Sequence, residues 1–374
     1  MKIAMLGVFP PFRGGIQHFN TLLYQHLKAD HQVSVINFAR QYPQLLFPGK
    51  SQYDTAAPVD PDFRHRLLDP VNPVTWFRTF NRLRSLAPEL VIFKYWMPFF
   101  APAFGTITRL LRKKTQSRSL CVIDNLIPHE PRPGDKWLNR YLLSSTDMFI
   151  SMSATVEQDL QQLKPGAVSR CQPHPIYENF GVRIPKTDAR LQLGLGDEPV
   201  LLYFGYIRRY KGVLTLLDAL PRVVEQIGAK TIIAGEFYED RDACLQKIET
   251  HTLAPHIVLA DRFIPDDEVN LYFSAADVVV LPYLSATQSG IVSIALNYDL
   301  PCIVTDVGGL PEVVHHNKTG MIVPPGNPQA LAEAIISYFG KTDRQAMIEN
   351  ITKEKKRYSW QAFTEVIFEL AASS

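Results

Sequence analysis

One pattern occurs twice in this chain and constrains its fold more than any other feature. Residues 3–8 form an apolar run too short for a helix, followed by a glycine pair, Gly14-Gly15. Ile16, Phe19, Leu22, Leu23 and Leu27 then recur near helical spacing, and a second apolar run follows at 33–38. The same order restarts far downstream. The run 199–205 leads into a loop at 206–212, then Val213, Leu216, Leu217 and Leu220 on one helical face, then another run at 231–235. Further short apolar runs at 90–93, 120–123, 148–151, 258–259, 278–281 and 302–305 alternate with helical patterns. Such alternation builds parallel sheets covered by helices, and its restart predicts two doubly wound α/β domains in tandem. The expected boundaries are a first domain at 1–185, a second at 186–345 and a terminal helical segment at 346–374. Residues 176–197 combine proline, glycine and charge with little periodicity, as a linker would. Trp360, Phe363, Val366, Ile367 and Leu370 give the last segment an apolar face that needs a partner surface, expected on the first domain.

At 374 residues and 46% hydrophobic, the chain can fill the cores that two such domains require. No apolar run approaches the roughly 18 residues of a membrane helix. The N-terminus shows no small-residue cleavage site, so it is read as a strand and the protein is expected in the cytoplasm. Cys121, Cys171, Cys244 and Cys302 form no C-x-x-C pair, and His315-His316 belongs to no H-E-x-x-H, so no metal site is expected.

The net charge of +2 hides an asymmetry. Residues 1–190 hold 24 Lys and Arg against 14 Asp and Glu, a balance of +10, and the rest hold 15 against 23, a balance of −8. The excess gathers at Arg78, Arg82 and Arg84 and at Arg109, Arg112, Lys113, Lys114 and Arg118. The first half is therefore expected to meet something anionic, such as a membrane surface, a phosphorylated acceptor or nucleic acid. A solvated helix face explains the second cluster equally well.

Three loops follow strands in the second half, where ligands of open α/β sheets bind. The loop 205–212 carries Arg208, Arg209 and Lys211 between Gly205 and Gly212, just before a helix. Outward N–H groups, the helix dipole and two kinds of cation suit a phosphate there. The loop matches neither a Walker A motif nor a dinucleotide fingerprint. Thr287, Gln288 and Ser289 precede Gly290 and Ile291 at a second helix start, which suits a sugar hydroxyl or a diphosphate. A third glycine turn lies at 306–309. In the first half, Gly14-Gly15 allows close approach of a diphosphate, and Asp124 and His129 offer a carboxylate and an imidazole after the run at 120–123.

Taken in order, these blocks resemble the bacterial retaining glycosyltransferases of GT-B fold headed "glycosyl transferases group 1". The blocks include Gly14-Gly15, the loop 204–212, Ala234-Gly235-Glu236, 276–282, 306–312 and 319–328. The resemblance implies two Rossmann-like domains facing across a cleft, with a nucleoside-diphosphate sugar in the second and an acceptor mostly in the first. It also implies a last helix crossing back to the first domain. Arg208 and Lys211 would stabilise the diphosphate leaving group without a metal or other cofactor. Asp124 and His129, with Arg208 and Lys211, are the catalytic candidates; Gly14, Gly15, Gly205, Arg208, Lys211, Thr287, Gln288, Ser289, Gly290 and Ile291 are the donor-binding candidates. Asp60-Pro61-Asp62 is similar to the metal motif of another glycosyltransferase fold, in a proline-rich context that favours coincidence.

Three departures stand out. The family's pair of glutamates would fall near Ala286 or Thr287 and near Ile294 or Ala295, none of them acidic, and an A-T-Q-S-G string occupies 286–290 as in a variant subgroup. The arginine usual after the loop glycine is Tyr206, with Arg208 taking its charge; at the usual first-domain histidine position the chain has Asp124, or the role has passed to His129. The expected activity is transfer of a hexose to a saccharide or lipid-linked saccharide acceptor in cell-surface polysaccharide or glycolipid synthesis. Peripheral contact at the inner face of an anionic membrane is expected, and nucleic acid is not an expected partner. The competing readings are a non-catalytic binding or scaffold subunit and a nucleotide-sugar 2-epimerase.

Overall fold

The computed structural model describes residues 1–43, 51–53, 60–128 and 132–373. It divides into two compact units, Met1–Pro175 with Ser359–Ser374, and Ile176–Tyr358.

The first unit runs β1 (Lys2–Gly7), α1 (Gly15–Lys28), β2 (Gln32–Phe38), β3 (Arg66–Leu68), α2 (Pro73–Leu86), β4 (Leu90–Tyr95), α3 (Ala101–Lys114), β5 (Arg118–Ile123), α4 (Asp135–Leu143), β6 (Met148–Ser151), α5 (Ala154–Leu163) and β7 (Val168–Cys171). Its sheet has the order β3-β2-β1-β4-β5-β6-β7. Every pairing is parallel, and Ile3 stands between Val33 and Leu90. β1 and β4 are buried on both faces, which is why they read as continuous apolar runs.

The second unit runs α6 (Lys186–Gln192), β8 (Val200–Phe204), α7 (Val213–Ile227), β9 (Lys230–Ala234), α8 (Arg241–Thr250), β10 (Ile257–Ala260), α9 (Asp266–Ala275), β11 (Val278–Leu281), α10 (Gly290–Asn297), β12 (Cys302–Thr305), α11 (Leu310–Val313), β13 (Gly320–Val323), α12 (Pro328–Gly340) and α13 (Arg344–Glu354). Its parallel sheet has the order β10-β9-β8-β11-β12-β13. In both sheets the strand order reverses beside the first strand, between β1 and β4 and between β8 and β11. Such switch points open a crevice beyond the strand ends, and here they lie beside the β1–α1 and β8–α7 loops.

The chain ends in α14 (Trp360–Ala372), which belongs to the first unit. Ser359 caps it by accepting from Ala362 N at 3.2 Å. The Trp360 ring lies 5.1 Å from Phe19 and 5.6 Å from His26, so the apolar face seen in the sequence packs on α1. Arg118 donates to the Ala371 carbonyl at 2.6 Å, placing a cation where the helix dipole favours one.

One stretch differs from its sequence reading. Residues 176–197, read as a linker, contain α6, and polar bonds rather than an apolar stripe hold it. Buried Arg190 meets Asp277 at 2.8 Å, Lys186 meets the same carboxylate at 2.5 Å, and that carboxylate also accepts from Val200 N at 2.8 Å.

Candidate functional site

The β8–α7 loop continues sheet-like pairing past its strand. Gly205 N donates to Ala234 O and Ile207 N to Glu236 O, each at 2.9 Å, so the loop is braced along the chain leaving β9. A single 3₁₀ turn, Arg209–Lys211, then leads through Gly212 into α7.

The three cations of this loop have different surroundings. Arg209 is committed: its guanidinium reaches both oxygens of Asp240 at 2.8 and 3.2 Å, and its backbone N donates to Glu239 at 2.8 Å. The Arg208 guanidinium lies 5.1 Å from the centre of the Tyr238 ring and Lys211 Nζ 5.6 Å from that of Tyr283. Among the described residues, neither the Arg208 nor the Lys211 side chain makes a hydrogen bond or an ion pair. Lys211 keeps some accessible surface but is densely enclosed. That desolvation, with the charge of Arg208 added, lowers its pKa to about 8.

The loop 282–290 interlocks with this one. A Cβ on Gly212 would lie 1.9 Å from Pro282 O, and Leu284 N donates to Tyr210 O at 2.6 Å. A Cβ on Gly308 would lie 1.7 Å from Ala286 O, and Gly309 N donates to Thr287 O at 3.0 Å, which joins the third loop. Both glycines have positive φ, so the absence of a side chain serves the turn and the close approach together. Ser289 caps α10 by accepting from Ile291 N at 3.3 Å and lies 3.3 Å from the Tyr283 hydroxyl. Gln288 is half-buried beside it, and Tyr177 packs over Gly290.

Gly205, Lys211 and Ile291 therefore share one place: a Cβ on Gly205 would meet Ile291 Cδ1 at 3.2 Å and Lys211 Nζ at 3.4 Å. Thr287, Gln288, Ser289 and Gly290 line the adjoining turn. No carboxylate occurs in 282–297, and Ile294 and Ala295 are buried.

Gly14, Gly15 and Asp124 belong to the first unit. Gly14, with φ 108°, precedes α1 and its carbonyl accepts from Gln17 N and His18 N. Asp124 follows β5 and pairs with Lys94 of β4 at 2.8 Å. Lys94 is fully enclosed: its Nζ lies 3.3 Å from the centre of the Phe19 ring and 3.7 Å from Met152 Sδ. Burial lowers the Lys94 pKa against the pull of Asp124. The neighbouring His174 is pushed down to about 3 by burial and by Lys94, so its imidazole is neutral. Lys94 escaped the sequence reading, although a lone lysine within an otherwise apolar strand was a signal. His129 lies outside the described residues.

Asp60 and Asp62 have structural work of their own. Asp60 caps a 3₁₀ turn by accepting from Asp62 N at 2.9 Å, and Asp62 pairs with Lys28 at 2.6 Å.

Two parallel sheets, each with a strand-order reversal beside its first strand, and a last helix returned to the first unit define a chain of GT-B fold. Residues 198–340 match the profile of the family described as glycosyl transferases group 1. An uncharacterized glycosyltransferase of Methanocaldococcus jannaschii is 31% identical over 47% of this chain and 45% of its own length. D-inositol 3-phosphate glycosyltransferase of Corynebacterium urealyticum is 26% identical over 79% of this chain and 73% of its own. The putative teichuronic acid biosynthesis glycosyltransferase TuaC of Bacillus subtilis is 30% identical over 68% of this chain and 62% of its own. Among solved structures, Anabaena HepE in complex with UDP has a TM-score of 0.78 at 17% identity, covering 100% of both chains. Sucrose-phosphate synthase from Thermosynechococcus elongatus has a TM-score of 0.74 at 19% identity, also covering 100% of both.

Proposed function

We propose that the protein is a retaining, metal-independent glycosyltransferase that moves a hexose from a nucleoside-diphosphate sugar to a saccharide acceptor. One observation carries this reading: Arg208 and Lys211 stand without an acidic partner, ahead of α7, in a loop braced for rigidity. The desolvated charge of Lys211 and the charge of Arg208 repel each other and gain from a diphosphate between them. The same cations stabilise the charge that develops when the diphosphate leaves, which requires no metal or other cofactor. Front-face displacement, in which the departing phosphate takes the acceptor proton, asks the protein for orientation and charge stabilisation alone. The relatives with glycosyltransferase names support sugar transfer, and the UDP complex of HepE supports a nucleotide donor. The turn at 286–290 is read as the variant form of the donor site, with ribose held by groups other than the family's glutamate. The acceptor is a saccharide or lipid-linked saccharide of the cell surface, used from the cytoplasmic side.

A second reading, a non-catalytic binding subunit, draws on the absence of any carboxylate from 282–297. Calorimetric titration with UDP, GDP, ADP, dTDP and CMP in the absence of metal tests the donor site. Selective binding of one nucleotide is expected, weakened at least about tenfold in Lys211→Ala. Folded protein that binds none of them overturns the donor site. Selective binding without sugar transfer to any saccharide acceptor favours the second reading.

A further inference from the structure

Helices α2, α3 and α4 are neighbours in one layer of the first unit, with α3 contacting both others. Together they carry nine Lys and Arg and one acidic residue, Asp135. None of the nine forms an ion pair among the described residues, although the unit pairs its cations elsewhere, as at Lys28, Arg40 and Lys94. Some of this charge has a local explanation: Arg84, Arg112, Lys113, Lys114 and Arg140 occupy last turns, where the helix dipole favours cations. That account does not reach Arg78 or Lys136. It also does not explain the apolar side chains beside them. Val71, Val74 and Phe77 are 44%, 56% and 52% exposed, and Trp137 is 69% exposed.

Their positions give the layer a direction. Val74 and Phe77 lie in the first turns of α2 and Trp137 in the first turn of α4, both of which begin beyond the carboxyl ends of the strands they follow. Exposed apolar groups there gain by leaving water, whereas a nucleic-acid backbone offers them nothing. Basic residues around apolar ones match an anionic bilayer, whose headgroups meet the cations while the apolar side chains enter the interface.

We propose that the outer face of α2 and α4 is a peripheral membrane-docking surface. Val74, Phe77 and Trp137 enter the interface, and Arg78, Arg82, Lys136 and Arg140 meet the anionic headgroups. The surface rests on the lipid-linked acceptor reading for its purpose, but its binding is independent of the donor site.

Flotation with phosphatidylcholine vesicles, with and without about one-third phosphatidylglycerol, tests it. The full chain is expected to float with the anionic vesicles only, and part of that binding is expected to survive added salt. A Val74→Ser/Phe77→Ser/Trp137→Ser variant should keep low-salt binding and lose the salt-resistant part. An Arg78→Gln/Arg82→Gln variant should bind at least about tenfold more weakly at low salt. Circular dichroism confirms that the variants are folded, and nucleotide titration of the same variants should be unchanged. The proposal is overturned if the full chain does not float, if it floats equally with neutral vesicles, or if both variants float as the parent does. Equal affinity for double-stranded DNA would also overturn it. Loss of nucleotide binding by the parent, with docking intact, would remove the donor site and leave this surface standing.

Discussion

The loop 205–212 holds no carboxylate, so Arg208 and Lys211 place two like charges near each other with no acidic side chain of the loop to offset them. This has a sign that can be measured. Lys211 titrates near 8 in the folded protein against 10.5 for a free lysine. Between those values the unfolded chain binds more protons than the folded one, so this residue makes stability rise with pH through that window. Below about 8 its full penalty is present. A diphosphate reverses the balance by favouring the charged form, so nucleotide binding above pH 8 takes up a proton. The dissociation constant is expected to rise about tenfold per pH unit above 8, up to the pKa of the bound state. Titration between pH 6.5 and 9.5 in buffers of different ionisation enthalpy reads both the affinity and the proton. Lys211→Arg, which stays charged, should flatten the profile; an unchanged slope would assign the pH dependence elsewhere.

Among elements, α14 depends most on distant sequence. It is separated from the rest of its unit by the whole of Ile176–Tyr358, yet Trp360, Phe363, Ile367 and Leu370 are all buried. Trp360→Ala should cost about 3–5 kcal/mol, because the buried ring packs against Phe19 and His26 of α1 and its removal leaves a cavity there. Urea denaturation followed by far-ultraviolet circular dichroism checks this, and a cost under about 1 kcal/mol would mean that the helix contributes little. The apolar stripe of this helix was legible because its spacing alone reveals it. Most strands were legible for the same reason, since buried parallel strands are continuous apolar runs; β3 and β7, short and partly exposed, and β13, which opens on a glycine, gave no such run. Helix α6 was not, because Arg190 and Lys186 hold it through Asp277, far along the chain. The same limit governed the site. Its glycines and cations were visible, but the difference between Arg208 and Arg209 is made by Asp240, and Lys94 acquires meaning only beside Phe19 and Asp124.

Across the molecule, the charge asymmetry follows the structural division. The first unit holds 21 Lys and Arg against 14 Asp and Glu, a balance of +7, and the second 18 against 23, a balance of −5. Each unit also has its own apolar core, one around Phe93, Phe104 and Phe149, the other around Leu201, Leu217 and Ile233. All four tryptophans, Trp76, Trp96, Trp137 and Trp360, belong to the first unit, so their fluorescence reports on that unit alone. This separates the two candidate contacts for the nucleotide. A ligand held by Arg208 and Lys211 stabilises the second unit by about 2.7 kcal/mol at 100 times its dissociation constant. Hydrogen exchange of amides in β8 and α7 should show that gain at saturating nucleotide. Tryptophan fluorescence during denaturation should move less. Equal shifts in both signals would mean that the first unit holds the nucleotide as firmly as the second. A shift seen only by tryptophan would take the diphosphate away from Arg208 and Lys211.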